Sequence, residues 1–267
     1  MDMPSRFAVM GNPIAHSLSP TVHRLFAEQT GCVLTYEKMK IDLPDFERQV
    51  VRFFHEGGRG LNITQPFKQR AFQLGQDKTA RCVTAGAANT LWRNEAGRLQ
   101  ADNTDGVGLL RDLARYIDLA GKRILLLGAG GAARGILAPL LDAGLESLTV
   151  ANRTYETARA LCQAFAEPSV LTYCDMADLR KPFDLILNAT SVSPMALPPR
   201  LIVPTTVCYD LGYQQQGSTP FVAWARAQGG VGIDGLGMLV EQAAEAFSIW
   251  HGVMPDVVSV LFHLKNI

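Results

Sequence analysis

The 267-residue sequence carries no charge of either sign in excess. Lys and Arg together number 25, as do Asp and Glu, so it lacks the cationic surplus that binding a nucleic-acid backbone needs. It has no long apolar run. The longest, Ile124 to Ala133, is ten residues closed by Arg123 and Arg134, half of what a membrane span requires. Cysteine pairing is absent too: Cys32, Cys82, Cys162, Cys174 and Cys208 are odd in number and show no CxxC spacing, which argues against a disulfide framework or a structural zinc site. None of the five histidines (His16, His23, His55, His251, His263) has ligand spacing, and no metal is expected. The first residues, Met1 to Arg6, contain no basic stretch leading into an apolar core, so they do not read as a signal peptide. The expectation is a soluble cytoplasmic protein, its cysteines small buried hydrophobes. What remains is an ordinary globular composition, 48% hydrophobic and 19% charged, in a chain long enough for one or two domains with a sizeable core.

Strand-like and helix-like segments alternate, predicting an α/β fold with a largely parallel sheet. Strands are expected at Phe7–Met10, Leu34–Met39, Gly60–Ile63, Asn89–Trp92, Leu99–Ala101, Ile124–Leu127, Leu148–Ala151, Phe183–Leu187 and Val207–Leu211. Ser19-Pro20 predicts a helix start with serine as cap and proline at the first helical position. Helices are also expected over Pro44–His55, from Pro66, through Leu109, Leu113 and Tyr116, over Ala132–Ala143, and from Gly235 toward the C-terminus. Asn94-Glu95-Ala96-Gly97 predicts a hairpin turn. Two domains fit this pattern, residues 105–236 being inserted between 1–104 and 237–267.

The most specific local signal is Gly128-Ala129-Gly130-Gly131-Ala132-Ala133, a G-x-G-x-x-A turn between a predicted strand and helix. Gly128 permits the tight turn, Gly130 the approach of backbone to a pyrophosphate, and Ala133 close helix–strand packing. The helix N-terminus supplies free N–H groups and positive dipole. About 20 residues on, where an NAD site keeps an acid for the ribose, the sequence reads Asn152-Arg153-Thr154. A guanidinium there suits a 2′-phosphate, so NADP is expected over NAD. The N-terminal half holds three polar clusters at predicted element ends: Ser17 and Ser19; Asn62-Ile63-Thr64-Gln65-Pro66-Phe67-Lys68; and Gly86-Ala87-Ala88-Asn89-Thr90 with Asp102-Asn103-Thr104-Asp105-Gly106.

Taken together, Gly11 to Pro20, Asn62 to Lys68, Gly86 to Thr90, Asn103 to Gly108, Gly128 to Gly135, Asn152 to Thr154, Asn188 to Ser191, Tyr209 to Leu211 and Asp234 to Ala244 resemble, in order, the shikimate dehydrogenase family. That resemblance implies a two-domain α/β fold: an N-terminal substrate domain and a Rossmann-type doubly wound NADP domain, with the active site in the cleft between them. It implies NADPH-dependent reduction of 3-dehydroshikimate to shikimate, on the route to chorismate and aromatic amino acids. Lys68 and Asp105 become the implied catalytic pair. Ser17 and Ser19 would take the substrate carboxylate, and Thr64, Asn89, Gln242 and Tyr213 the rest of the substrate. Gly128, Ala129, Gly130, Gly131, Ala132, Asn152, Arg153, Thr154, Thr190, Gly235 and Met238 would bind the cofactor.

Ketone reduction needs a hydride and a proton for the developing alkoxide. Lysines ordinarily titrate near 10.4, so positioning and electrostatic stabilisation are expected of Lys68, with proton transfer shared by the pair or a water. Two departures from the family stand out: Val192-Ser193-Pro194-Met195 where a glycine is usual, and the small Gly212 before Tyr213, which predicts a looser approach for that tyrosine. The alternatives are a quinate/shikimate relative with broader substrate or NAD use, and a non-catalytic NADP sensor; the latter predicts loss of Lys68 or Asp105, and both are present. Nothing in the sequence chooses between monomer and homodimer.

Overall fold

The computed structural model describes residues 4–165, 169–190 and 197–266; the Val192–Met195 departure lies outside the described residues. The chain divides into two compact units, Met1–Gly108 with Leu239–Ile267, and Leu109–Met238.

The first unit runs β1 (Ser5–Gly11), α1 (Ser19–Thr30), β2 (Leu34–Lys40), α2 (Phe46–His55), β3 (Gly58–Ile63), α3 (Lys68–Leu74), β4 (Asp77–Lys78), α4 (Ala80–Ala85), β5 (Thr90–Arg93), β6 (Leu99–Asp102) and into α5 (Asp105–Leu113). Its sheet order is β2-β1-β3-β5-β6-β4. β1 is parallel to β2 and β3, whereas β5 is antiparallel to β3 and β6, so the sheet is mixed. The antiparallel pair is the expected hairpin, closed by Gly97 N–H donating to the Asn94 carbonyl at 2.9 Å. Helix α2 forms because Phe46, Val50, Phe53 and Phe54 fall on one face. Phe46 stacks on Phe67 at 4.5 Å in the core, where each fully buried phenylalanine contributes about 1.5–3 kcal/mol.

The second unit is a single parallel sheet. Its elements are β7 (Arg123–Leu127), α6 (Gly131–Leu141), β8 (Ser147–Ala151), α7 (Tyr155–Gln163), β9 (Leu171–Cys174), β10 (Leu185–Asn188), β11 (Val207–Asp210), α8 (Pro220–Ala227) and β12 (Val231–Ile233). The spatial order β12-β11-β10-β7-β8-β9, with every pairing parallel, is the doubly wound 3-2-1-4-5-6 arrangement. The unbroken apolar stretches of its central strands follow from burial on both faces: Ile124, Leu125, Leu126, Leu185, Ile186 and Leu187 are all fully buried. The chain then enters α9 (Leu236–His251) and α10 (Val257–Lys265).

The change from one unit to the other falls at 108/109 and 238/239, inside helices α5, which begins at Asp105, and α9, which begins at Leu236. Two expectations need correction. Ser19 is not the cap of α1. Leu18 holds the cap position without a side-chain bond, and the Ser17 hydroxyl accepts the Ser19 N–H at 3.2 Å. The C-terminal helix is not continuous: Gly252, at φ 71°, ends α9, and Asp256 caps α10 by accepting the Val258 N–H at 2.9 Å. β4, α4, β9 and β12 are two to six residues long and too short to leave a periodic trace. No helix among the described residues is long and apolar enough to cross a membrane. All five cysteines are free, and burial pushes the Cys82 and Cys208 thiols up to about 12.

Candidate active site

In the first unit, strand direction gathers the polar clusters at one sheet edge. β1 and β3 are parallel and end together, with Met10 opposite Ile63. Their exits are stitched by Thr64 N–H to the Met10 carbonyl at 2.9 Å and Asn12 N–H to the Gln65 carbonyl at 3.0 Å. Because β5 is antiparallel, its start lies at the same edge, Thr90 opposite Asn62. The end of β6 returns there, Asp102 opposite Thr90. Gly11 has to be glycine, since a Cβ would sit 2.3 Å from Thr64 Cγ2.

At that edge Lys68 Nζ donates to Asp105 Oδ2 at 2.5 Å, with side-chain exposures of 14% and 5%. Lys68 is the first residue of α3 and Asp105 the first of α5. Asn89 Nδ2 donates to Asp105 Oδ1 at 2.8 Å, to Thr104 Oγ1 at 2.9 Å and to Gln242 Oε1 at 3.2 Å. Gln242 is further held by its Nε2 donating to the Leu239 carbonyl, and its own carbonyl accepts from Thr104 Oγ1 at 3.0 Å. Gly108 lets α5 and α9 meet here, since a Cβ would lie 2.8 Å from the Gln242 backbone nitrogen. The structure therefore joins Lys68, Asp105, Asn89 and Gln242 into one bonded cluster. Ser17 and Ser19 form a separate pair, Ser17 Oγ donating to Ser19 Oγ at 3.1 Å, and Thr64 lies half-buried at the β3 exit.

In the second unit the candidate residues cluster at the carboxyl ends of parallel strands, around β7 and β10, where the strand order reverses and ligands of doubly wound sheets bind. Gly128 has φ 102°, and a Cβ on it would lie 3.1 Å from Ala189 and Thr190 atoms. Gly130 caps α6, with open space where its Cβ would be. Ala129 is buried, Gly131 and Ala132 open the helix half-buried, and Ala133 is fully buried. Thr190 Oγ1 donates to Asn188 Oδ1 at 2.7 Å. Leu127 pairs with Ala151, which brings Asn152-Arg153-Thr154 beside the glycine turn. Asn152 Nδ2 donates to the Thr154 carbonyl at 3.0 Å. Arg153 is exposed, with no ion pair among the described residues. First-turn N–H groups, an open approach at Gly130 and a solvent-facing guanidinium together fit a phosphorylated dinucleotide.

Gly235 admits no side chain: a Cβ would lie 2.3 Å from the Leu211 carbonyl oxygen. Met238 is buried in the unit's core. Tyr213 is half-buried. Gly212 before it is held on both sides, its N–H donating to Asp210 Oδ1 at 3.0 Å and its carbonyl accepting from Gly235 N–H at 2.9 Å. The Asp210 carboxyl is pushed up by burial against the pull of Thr219, Gly212 and Asn188 hydrogen bonds.

Sequence reasoning missed several structural partners. Tyr209, its phenol pushed up by burial and by Asp112, donates to Asp112 at 2.6 Å. Arg81 bridges Asp102 and Glu245. Tyr36 donates to Asn62 Oδ1 at 2.7 Å. All are pairings between residues far apart in the chain, for which a single sequence carries no signal.

A doubly wound sheet with a glycine turn and an exposed arginine, together with a unit that buries a lysine–aspartate pair, defines the class: a two-unit, nucleotide-dependent α/β oxidoreductase. Residues 9–91 match the shikimate dehydrogenase substrate binding domain, residues 111–203 the shikimate/quinate 5-dehydrogenase family, and residues 235–261 the shikimate 5'-dehydrogenase C-terminal domain. Shikimate dehydrogenase (NADP(+)) of Legionella pneumophila strain Corby is 52% identical over 265 residues, 98% of each chain. The protein of that name from Alkalilimnicola ehrlichii is 49% identical over 270 residues, covering 98% of this chain and 99% of its own. A crystal structure of shikimate 5-dehydrogenase from Thermus thermophilus in complex with NADP(H) and shikimate is 34% identical, with TM-score 0.86, covering 98% of this chain and 99% of that one. The chain belongs to the shikimate dehydrogenase family.

Proposed function

We propose that this protein catalyses the reversible, NADP-dependent interconversion of shikimate and 3-dehydroshikimate. The observation that carries the reading is the bonded cluster of Lys68, Asp105, Asn89 and Gln242 in a member of this family. NADPH, when bound, supplies the hydride for ketone reduction. Residues 105–236 serve as the NADP domain in this reading, and 1–104 with 237–267 as the substrate domain.

Each residue has a role that its chemistry supports. Ser17 and Ser19 present two adjacent hydroxyls to the substrate carboxylate. Thr64, Asn89, Gln242 and Tyr213 contact the ring substituents. In the reducing direction the Lys68 ammonium stabilises the alkoxide that develops on the substrate oxygen, and the Lys68–Asp105 pair moves the proton to it. In the oxidising direction the pair takes the proton from the substrate hydroxyl. Asp105 keeps Lys68 aimed, since its other oxygen is fixed by Asn89.

On the nucleotide side, Gly128 shapes the turn, and Gly130 leaves room for the pyrophosphate. Ala129, Gly131 and Ala132 offer backbone to it. Asn152, Arg153 and Thr154 hold the 2′-phosphate. Thr190, Gly235 and Met238 border the nicotinamide end. Free buried thiols support placing the protein in a reducing cytoplasm.

The test is steady-state oxidation of shikimate and of quinate, each with NADP and NAD, followed at the reduced-nicotinamide absorbance. Strong preference for shikimate with NADP is expected. Comparable rates with quinate or NAD would assign the broader activity. NADP binding without any turnover would leave a sensor.

A further inference from the structure

Asn89 can serve the Lys68–Asp105 pair only if its amide nitrogen, not its oxygen, faces the Asp105 carboxylate. The structure contains a line of bonds that decides this. Asn89 Oδ1 accepts the Thr104 backbone N–H at 2.9 Å, and a backbone N–H can only donate. Asn89 Oδ1 also accepts from Thr90 Oγ1 at 2.9 Å. That consumes the single hydroxyl proton of Thr90, so its oxygen is left to accept from Asn62 Nδ2 at 3.3 Å. Asn62 is itself unambiguous, because its Nδ2 also donates to the Asn89 carbonyl at 3.2 Å, and a carbonyl only accepts. Its Oδ1 takes the Tyr36 phenol proton at 2.7 Å.

The line Tyr36, Asn62, Thr90, Asn89, Asp105 thus donates in one direction throughout, from strand β2 across the sheet to the carboxylate. Asn62, Asn89 and Thr90 are buried at 6%, 2% and 0% exposure, so water does not compete for these bonds, and bonds aligned head to tail in a low dielectric strengthen one another. The Tyr36 ring is kept in place by stacking on the buried His23, centroids 4.2 Å apart and planes 10° apart.

We propose that Thr90 and Tyr36 are positioning residues for the dehydrogenase reaction, acting through Asn89 to fix the Lys68–Asp105 pair. The proposal rests on the function proposed above. Replacing Thr90 by the isosteric valine removes both the bond to Asn89 Oδ1 and the acceptor of Asn62, and leaves Asn89 Oδ1 held by the Thr104 backbone N–H, a looser hold on the amide. Thr90→Val is expected to lower kcat for shikimate oxidation about tenfold, roughly 1.4 kcal/mol of barrier, while KM changes less than threefold. Thr90→Ser restores the hydroxyl and recovers most of kcat. Tyr36→Phe, two links further out, lowers kcat about threefold. In an Asn89→Ala background Thr90→Val has no further effect, because residues acting through a shared partner are not additive.

A readout independent of turnover comes from side-chain amide NMR of the ligand-free protein. The Asn89 NH2 resonances, identified by their loss in Asn89→Ala, are expected to shift in Thr90→Val and return in Thr90→Ser. A kcat within twofold of wild type in Thr90→Val, an equal loss in Thr90→Ser, full additivity with Asn89→Ala, or unmoved Asn89 resonances would each overturn the proposal. A wild-type protein that oxidises no shikimate, with the resonances moving as expected, would overturn the function and leave the orienting line of bonds standing.

Discussion

The two halves of this protein prepare for a ligand by opposite means. In the first unit, the candidate site consists of side chains that already satisfy one another: Lys68 on Asp105, Asp105 on Asn89, Asn89 on Thr104 and Gln242. In the second, it consists of backbone and room: Gly128 at φ 102°, open space at Gly130 and an exposed Arg153. The difference follows from what each unit handles. Moving a proton requires groups held to a fraction of an ångström, which buried hydrogen bonds achieve. A dinucleotide brings its own charge and many contacts, so its cradle needs N–H donors and the absence of Cβ atoms. Substitutions in the first unit should therefore act on rate, and those in the second on nucleotide affinity.

That contrast can be broken in four places, beginning with the largest effect. Lys68→Ala is expected to lower kcat by about 10³-fold, within the range for losing a general acid–base group, while the NADP Kd stays within twofold; a near-normal kcat would remove the pair from the chemistry. Arg153→Ala should raise the NADP Kd about 30-fold, roughly 2 kcal/mol for a charge-assisted contact, with NAD affinity and Tm unchanged. Fluorescence titration with both nucleotides reads the difference, and an equal loss for both would sink the 2′-phosphate assignment.

The third concerns the packing behind the first unit's site. Burial, with a further contribution from the nearby His251, holds His23 down to about 3 from an ordinary 6.5. Between those values the unfolded chain binds a proton that the folded protein refuses, so stability falls as pH drops through 6.5. From pH 7 to pH 5 the loss is about 2 kcal/mol, read by urea unfolding, and His23→Phe should flatten that slope. An equally steep slope in the variant would assign the acid sensitivity elsewhere. The fourth and smallest is a pair of glycines. Gly130→Ala should leave stability within about 0.5 kcal/mol, since open space receives its Cβ, yet weaken NADP. Gly128→Ala, at a positive φ and with Ala189 atoms at 3.1 Å, should cost about 1–3 kcal/mol of stability as well. Equal Tm values for the two would mean the turn is not strained.

Much of the second unit was legible in the sequence because its signals are local. The apolar run Ile124–Leu127, the glycine turn and the residues Asn152-Arg153-Thr154 follow one another within a single βαβ segment, where spacing is nearly geometry. The first unit was less legible. Its polar clusters stood out, and Asn94–Gly97 gave away the hairpin. Yet the shift of the cap position from Ser19 to Leu18 depends on one residue of helix register. The break of the C-terminal helix at Gly252 was masked by apolar residues on both sides.

By itself the sequence determined the α/β class, the glycine turn, the missing acid that favours NADP, and the set of polar residues from which the site is drawn, because hydrophobic period and backbone-permissive residues act over a few positions. Only the tertiary structure decided which of those residues meet. Lys68 and Asp105 are 37 positions apart and Asn89 and Gln242 153 apart. They come together because β5 runs antiparallel to β3 and because Gly108 lets α5 close on α9. Hydrogen bonds between such distant side chains depend on strand direction and helix approach, which arise from packing of the whole unit and from no local run of residues.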